Sequence, residues 1–168
     1  ASDGGEVEAG GAGTVLKTAI ENCSLNTPYS CRSIYVLYNN GTKIQFLPTN
    51  FSNTDLGVAD DAERYKVFNY VYGYTYEEDG VAGQHYPIAR RNWPLGSFIH
   101  STPAVIVYEE HAKTFLAIGG NDGMLHVFDD ADGSETIAFI PENQLLRLKD
   151  LNPDGTAESP LFFIDGPN

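Results

Sequence analysis

Asp129, Asp130 and Asp132, followed by Gly133, alternate oxygen-bearing side chains ahead of a glycine. That is how a calcium-wrapping loop begins, since a hard cation wants several oxygen ligands around a sharp turn. A full EF-hand loop needs an oxygen at its fifth position and a glutamate at its twelfth. Here the fifth position is Gly133, and the pattern does not complete. A solvated turn is the reading we favour, with the three aspartates kept as calcium candidates. Asn121-Asp122-Gly123 carries a further carboxylate, but this is also what a tight turn between strands selects. His100-Ser101 pairs a base with a hydroxyl. Nucleophilic catalysis needs the two facing each other, with an orienting acid, whereas neighbours along a strand point to opposite faces. His100 therefore reads as an anchor by hydrogen bonding. His85, His111 and His126 lack metal-ligand spacing. Gly119-Gly120 with Gly123 lacks the Gly-Lys-Ser/Thr ending of a phosphate loop. No catalytic residue is assigned, and the chain is expected not to be an enzyme.

Cys23 and Cys31 flank Ser24-Leu25-Asn26-Thr27-Pro28-Tyr29-Ser30, which reads as a loop. A disulfide closing it is the favoured reading and would imply an exported protein. The alternative is two unrelated thiols. Two cysteines without a nearby histidine cannot complete a zinc site. The absence of Cys-x-x-Cys-His leaves no c-type haem attachment.

The chain carries 10 Lys and Arg against 23 Asp and Glu, a formal charge of −13. Nucleic acid is excluded as a partner on this ground, because phosphate binding needs a clustered basic face. Arg90-Arg91 beside Trp93 is the densest basic group, and reads as a structural ion-pair site. No stretch approaches the roughly 18 apolar residues of a membrane span. Ala1-Ser2-Asp3-Gly4-Gly5 lacks the basic and apolar start of a signal peptide. The sequence is therefore expected to begin after a processing site or inside a longer protein.

Residues 1–13, rich in Gly, Ala and acid, read as a flexible leader or linker. Residues 14–92 read as an α+β segment. A short helix is expected over 14–20, and strands over 32–38 and 43–47. Asn39-Asn40-Gly41-Thr42 joins them as a hairpin, because Asn-Gly tolerates positive φ. Residues 48–57 read as a loop. Asp60 caps the clearest helix, in which Tyr65, Phe68, Val71 and Tyr72 recur at helical spacing, and Gly73 stops it. Tyr70, Tyr72, Tyr74 and Tyr76 form a period-two aromatic run, read as packing against a neighbour in preference to a recognition surface.

From residue 93 to 168 the pattern changes. Short strands are expected over 103–108, 114–119, 124–129 and 135–140, then a short helix from Pro141 to Leu148. Four strands separated by turns over about 40 residues are the pattern of one β-propeller blade. Leu161-Phe162-Phe163-Ile164-Asp165-Gly166 reads as the first strand of the next. The fold class is thus mainly β with short helices: one blade and the start of a second, preceded by a small α+β segment. Propellers close with about 4–8 blades, so this one is incomplete. It is expected to be completed by the rest of its own protein or by a neighbouring subunit.

Several motifs now fall in a recognisable order. They are Leu95-Gly96-Ser97 leading to His100-Ser101-Thr102-Pro103, then Gly119-Gly120-Asn121-Asp122-Gly123-Met124-Leu125-His126-Val127-Phe128-Asp129, then Ala138-Phe139-Ile140-Pro141, then Phe162-Phe163-Ile164-Asp165-Gly166. Phe68-Asn69-Tyr70-Val71-Tyr72-Gly73 precedes them. This series resembles the start of the C-terminal propeller of the PilY/PilC family of type IV pilus tip-associated adhesins and assembly proteins, over residues 58–168 and more loosely from 14. Ser97 stands where the family usually has Asp.

The resemblance implies a non-enzymatic pilus-associated protein. It would present loops for adhesion to a host or abiotic surface, or for contact with minor pilins at the pilus tip. It would be exported through the periplasm to the cell surface. The family's calcium loop lies further downstream, so no cofactor is implied for these residues. Two other readings stand beside it. One is a structural subunit of an extracellular filament that polymerises by strand addition. The other is a quinoprotein-like propeller dehydrogenase, which would repeat a Trp-docking motif in each blade; this chain has one Trp.

Overall fold

A computed structural model of the chain describes residues 11–75, 77, 80, 85–151 and 164. Helix α1 (Gly11–Glu21) begins within the stretch read as a leader. It buries Leu16 and Ile20, four residues apart and so on one face. Its C-terminal end is held by Arg90, whose Nε donates to the Ile20 carbonyl at 2.9 Å and whose Nη2 donates to that of Cys23. A cation is favoured there by the helix dipole.

Cys23 and Cys31 form a disulfide. Within its loop a single 3-10 turn, Pro28–Ser30, presents Tyr29 to the core. The Tyr29 hydroxyl donates to Asn69 Oδ1 at 2.7 Å.

Strands β1 (Ile34–Leu37) and β2 (Lys43–Gln45) form the expected hairpin, with Gly41 at φ +83° in its turn. Ile34 and Val36 point inward. The loop expected over 48–57 contains one helical turn, α2 (Asn53–Leu56). Ser52 Oγ accepts from the Asp55 amide while the Asp55 carboxylate accepts from the Ser52 amide. This reciprocal cap was in the sequence, but a single turn leaves no periodicity to read.

Helix α3 (Asp61–Tyr72) is capped as expected. Asp60 Oδ1 accepts from the Glu63 amide at 2.9 Å. Gly73 ends the helix at φ +95°, and a Cβ there would lie 2.7 Å from the Ile20 Cδ1, so both conformation and space demand glycine. Val67, Phe68, Val71 and Tyr72 form its buried face, and Tyr65 stacks on His85 at 4.4 Å.

Strands β3 (Ala104–Tyr108), β4 (Lys113–Gly119), β5 (Leu125–Asp129) and β6 (Glu135–Pro141) run as a continuous antiparallel meander. They do not stand alone. One six-stranded open sheet has the order β2-β1-β6-β5-β4-β3, in which β1 lies parallel to β6 with Ile34 opposite Ala138. The result is a mixed α/β arrangement, and the sheet runs across residue 93.

A 3-10 helix, Glu142–Asp150, follows β6 and packs Leu145 and Leu148 inward. The core lies between the sheet and the helices, around Ile34, Val36, Phe46, Phe68, Tyr72, Ala138 and Ile140. At the far edge, every residue of β3 is exposed, with Val105 63% and Val107 62% accessible. The strand expected over 161–166 lies outside the described residues except for Ile164, whose carbonyl accepts from Ser101 Oγ at 3.2 Å. No helix among the described residues is long and apolar enough to cross a membrane.

The disulfide restrains a short loop on which Tyr29 is mounted. In the chain-entropy account such a bridge contributes roughly 2–3 kcal/mol. Replacing both Cys23 and Cys31 by Ser is expected to lower unfolding stability by that amount. Denaturant unfolding checks it; an unchanged midpoint would show the loop to be held by its other contacts alone.

Candidate functional site

Two features stand next to each other: a buried chain of charged side chains, and a cavity that opens beside it. Arg32, just ahead of β1, reaches across the sheet to Glu135 at the start of β6. Its Nε and Nη2 donate to Oε2 and Oε1, each at 2.7 Å, a bidentate pair. Both side chains are nearly inaccessible, at 1% and 2%. The remaining Nη1 donates to the Val71 carbonyl at 2.7 Å, near the C-terminal end of α3.

Glu135 Oε1 also meets His126 Nδ1 at 2.8 Å. On the other side of the ring, His126 Nε2 meets Asp122 Oδ1 at 3.0 Å. Asp122 Oδ2 then accepts from the Gly96 amide at 2.8 Å. A Cβ at Gly96 would lie 2.5 Å from the Asp122 amide nitrogen, so only glycine allows this approach.

Two cations and two carboxylates alternate along the chain, and their charges cancel when His126 is protonated. Burial alone would lower the His126 pKa, but Asp122 and Glu135 more than offset this and hold it at about 9. Burial likewise works against ionised Glu135, and Arg32 with His126 outweighs it, leaving that carboxyl well below its usual range. Asp122 is depressed too: burial opposes its charge, and His126 outweighs burial. Both ring nitrogens of His126 therefore donate.

The cavity has a volume of about 600 Å³. Tyr70, Arg91, Trp93, Ser97, Phe98 and Asn121 line it, with Asp122 at the inner wall. The isolated bridge between Tyr74 and Arg90 fixes the start of the segment that carries Arg91. The Gly96–Asp122 bond pins the loop that carries Ser97 and Phe98. Phe98 stands edge-on to His126 at 5.9 Å, so cavity and ion chain share a wall.

The acidic candidates read from the sequence separate into turn residues and one buried ion. Asp129 Oδ2 accepts from Lys113 Nζ at 2.5 Å, and its Oδ1 accepts from the Ala131 amide at 3.0 Å. Asp132 Oδ1 accepts from the Ser134 amide at 2.8 Å, and Asp130 is exposed. The amide bonds are those of a turn, and the Lys113–Asp129 pair ties β4 to β5 beside it. Among the described residues, no group of three or more His, Cys, Asp or Glu side chains is arranged to hold a metal. Asn121 and Asp122 do form a turn, yet Asp122 is buried in the ion chain. His100 lies in a bend, outside any strand. Tyr72 and Tyr74 are core residues, while Tyr70 lines the cavity. Arg90 and Arg91 bind backbone carbonyls and a ring, where carboxylate partners were expected. Arg32 and Glu135 had no sequence signal beyond their places at the starts of strands.

Over 101 residues, 45% of its length, the chain is 34% identical to the type IV pilus biogenesis factor PilY1 of Pseudomonas aeruginosa. That stretch is 8% of the relative. It is 28% identical over 146 residues to a PilY1 homolog of Xylella fastidiosa, covering 67% of this chain and 10% of the relative. A second homolog from that organism is 23% identical over 155 residues, 78% of this chain and 12% of the relative. The chain thus spans about a tenth of the length of the curated relatives it matches. No protein-family model and no solved structure matches it.

The ion chain sets a pH dependence. The His126 pKa is raised from 6.5 unfolded to about 9 folded. Its contribution, roughly 3 kcal/mol, is therefore complete below about pH 6.5 and lost as pH rises through 9. Glu135 and Asp122, depressed on folding, contribute above their unfolded pKa values, and that part is lost in acid. Urea unfolding between pH 6 and 10 is expected to show falling stability, and His126→Gln should flatten the fall. An equal slope in the variant would contradict the assignment.

Proposed function

Taking as premise that this chain is a relative of the PilY1 type IV pilus biogenesis factors, we propose that it is part of a non-enzymatic pilus-associated adhesin and assembly factor. It acts outside the cell, exported through the periplasm, and presents loops to a surface or to minor pilins. The similarity to PilY1 and its homologs is the observation that carries the reading. The disulfide supports export, because such bonds persist in oxidising compartments. The buried charges support a structural role, because each is engaged by another member of the chain.

Within this reading, β3 to β6 are the first blade of a propeller, and the remainder of the protein covers both faces of β3. An apolar strand this exposed is a liability unless something packs on it. The same strand favours a second reading, a filament subunit that adds a neighbour's strand along the open β3 edge.

Sheared surface appendages from a bacterium that makes the protein test both. The parent protein is expected to co-purify with type IV pili, and its deletion to reduce piliation or surface attachment. Recovery only inside the cell, with piliation and attachment unchanged on deletion, would overturn the first reading. Homopolymers of the protein in a strain without pili would favour the second.

A further inference from the structure

The 600 Å³ cavity holds an arginine, Arg91, with which no carboxylate pairs among the described residues. Arg91 lies over the Tyr70 ring with its guanidinium carbon 3.8 Å from the centroid, and its Nη1 donates to the Tyr70 carbonyl at 3.2 Å. Burial lowers its pKa, the mark of a cation removed from water. The acid on the cavity wall, Asp122, is already committed to His126 and the Gly96 amide. A desolvated guanidinium, planar and able to donate two parallel bonds, is matched by a carboxylate.

The rest of the wall narrows what carries that carboxylate. Trp93 and Phe98 line the cavity with aromatic carbon, the Trp93 ring also packing against Gly13 of α1. Ser97, at the exposed mouth, accepts from Asn121 Nδ2 at 3.1 Å, which leaves its hydroxyl proton for another partner. Aromatic surface suits the C–H groups of a pyranose, and hydroxyl and amide groups suit its hydroxyls. The volume is within the roughly 300–1,000 Å³ of small-molecule sites.

We propose that this cavity is a binding site for a carboxylate-bearing sugar of the uronic acid class, held by Arg91 through its acid group and by Trp93 and Phe98 through its ring. The site stands on the cavity's geometry, whether or not the protein works at a pilus. The strongly acidic chain as a whole does not favour anions, so recognition is local and short-ranged, and added salt weakens it.

The test uses a built-in reporter, because Trp93 is the one tryptophan in the chain. The 168-residue chain is titrated with sodium D-glucuronate at constant ionic strength, and Trp93 fluorescence is followed. Saturable change is expected with glucuronate, with at least about tenfold weaker response to D-glucose or to sodium acetate. Arg91→Lys keeps the charge but loses the fork, and is expected to weaken glucuronate about tenfold. Because that change touches the Tyr70 packing, circular dichroism checks its fold, and Ser97→Ala, at an exposed position, provides a second variant expected to bind about threefold more weakly. No saturable response to glucuronate overturns the site. So does equal binding of glucose or acetate, or unchanged affinity in both folded variants.

Discussion

The bidentate pair between Arg32 and Glu135 decides how the sheet is put together. These residues lie 103 positions apart, and they sit at the one parallel junction among the described strands, where β1 joins β6. Two charges taken out of water cost several kcal/mol each unless partners and hydrogen bonds replace the lost solvent. Here each guanidinium nitrogen and both Glu135 oxygens have a partner. The guanidinium has both Glu135 oxygens and the Val71 carbonyl, and Glu135 has His126 besides. A slip of β1 against β6 by one residue would strand an ion in the core and turn Ile34 and Val36 away from it. The pair therefore acts on register as well as on stability.

The remaining members of the ion chain link this junction to the cavity. His126 stands in β5 and passes the contact to Asp122 in the turn before it. Asp122 in turn takes the Gly96 amide and fixes the loop that carries Ser97 and Phe98. Arg91 is set from the other side, by α3 through Tyr70 and by the short bridge at Arg90. The cavity is thus assembled by helix, turn and loop, all referred to the same buried charges. Its ligand-facing arginine is the one cation on that wall left without a carboxylate among the described residues.

Much of the fold could be read from local signals. The Asn40-Gly41 hairpin, the Asp60 cap, the Gly73 stop and the four strands from Ala104 to Pro141 each leave a mark within a few residues, and each stands within a residue or two of its expected place. The parallel pairing of β1 with β6 leaves none, because it joins segments about a hundred residues apart with no turn between them. Arg32 and Glu135 look like surface charges in the sequence, since nothing local tells a buried ion from a solvated one. His126 carried a fainter hint: it shares an inward face with Phe128 in a strand of period two. Asp122 shows that a turn residue can do two jobs, one by its backbone and one by its carboxylate. The tyrosine run was legible as packing, since Tyr72 and Tyr74 lie in the core and Tyr70 packs against it, although the period of two comes from a helix end and not from a strand.

The most direct measurement is a double-mutant cycle on the sheet junction, with Arg32→Met, Glu135→Gln and the two together, read by urea unfolding at pH 7. Each single change leaves a buried charge without its partner and is expected to cost about 3–5 kcal/mol. The double variant should lose clearly less than the sum, giving a coupling of about 2 kcal/mol or more. Additive losses, or single losses below about 1 kcal/mol, would show that the strands are held by packing alone and contradict the account.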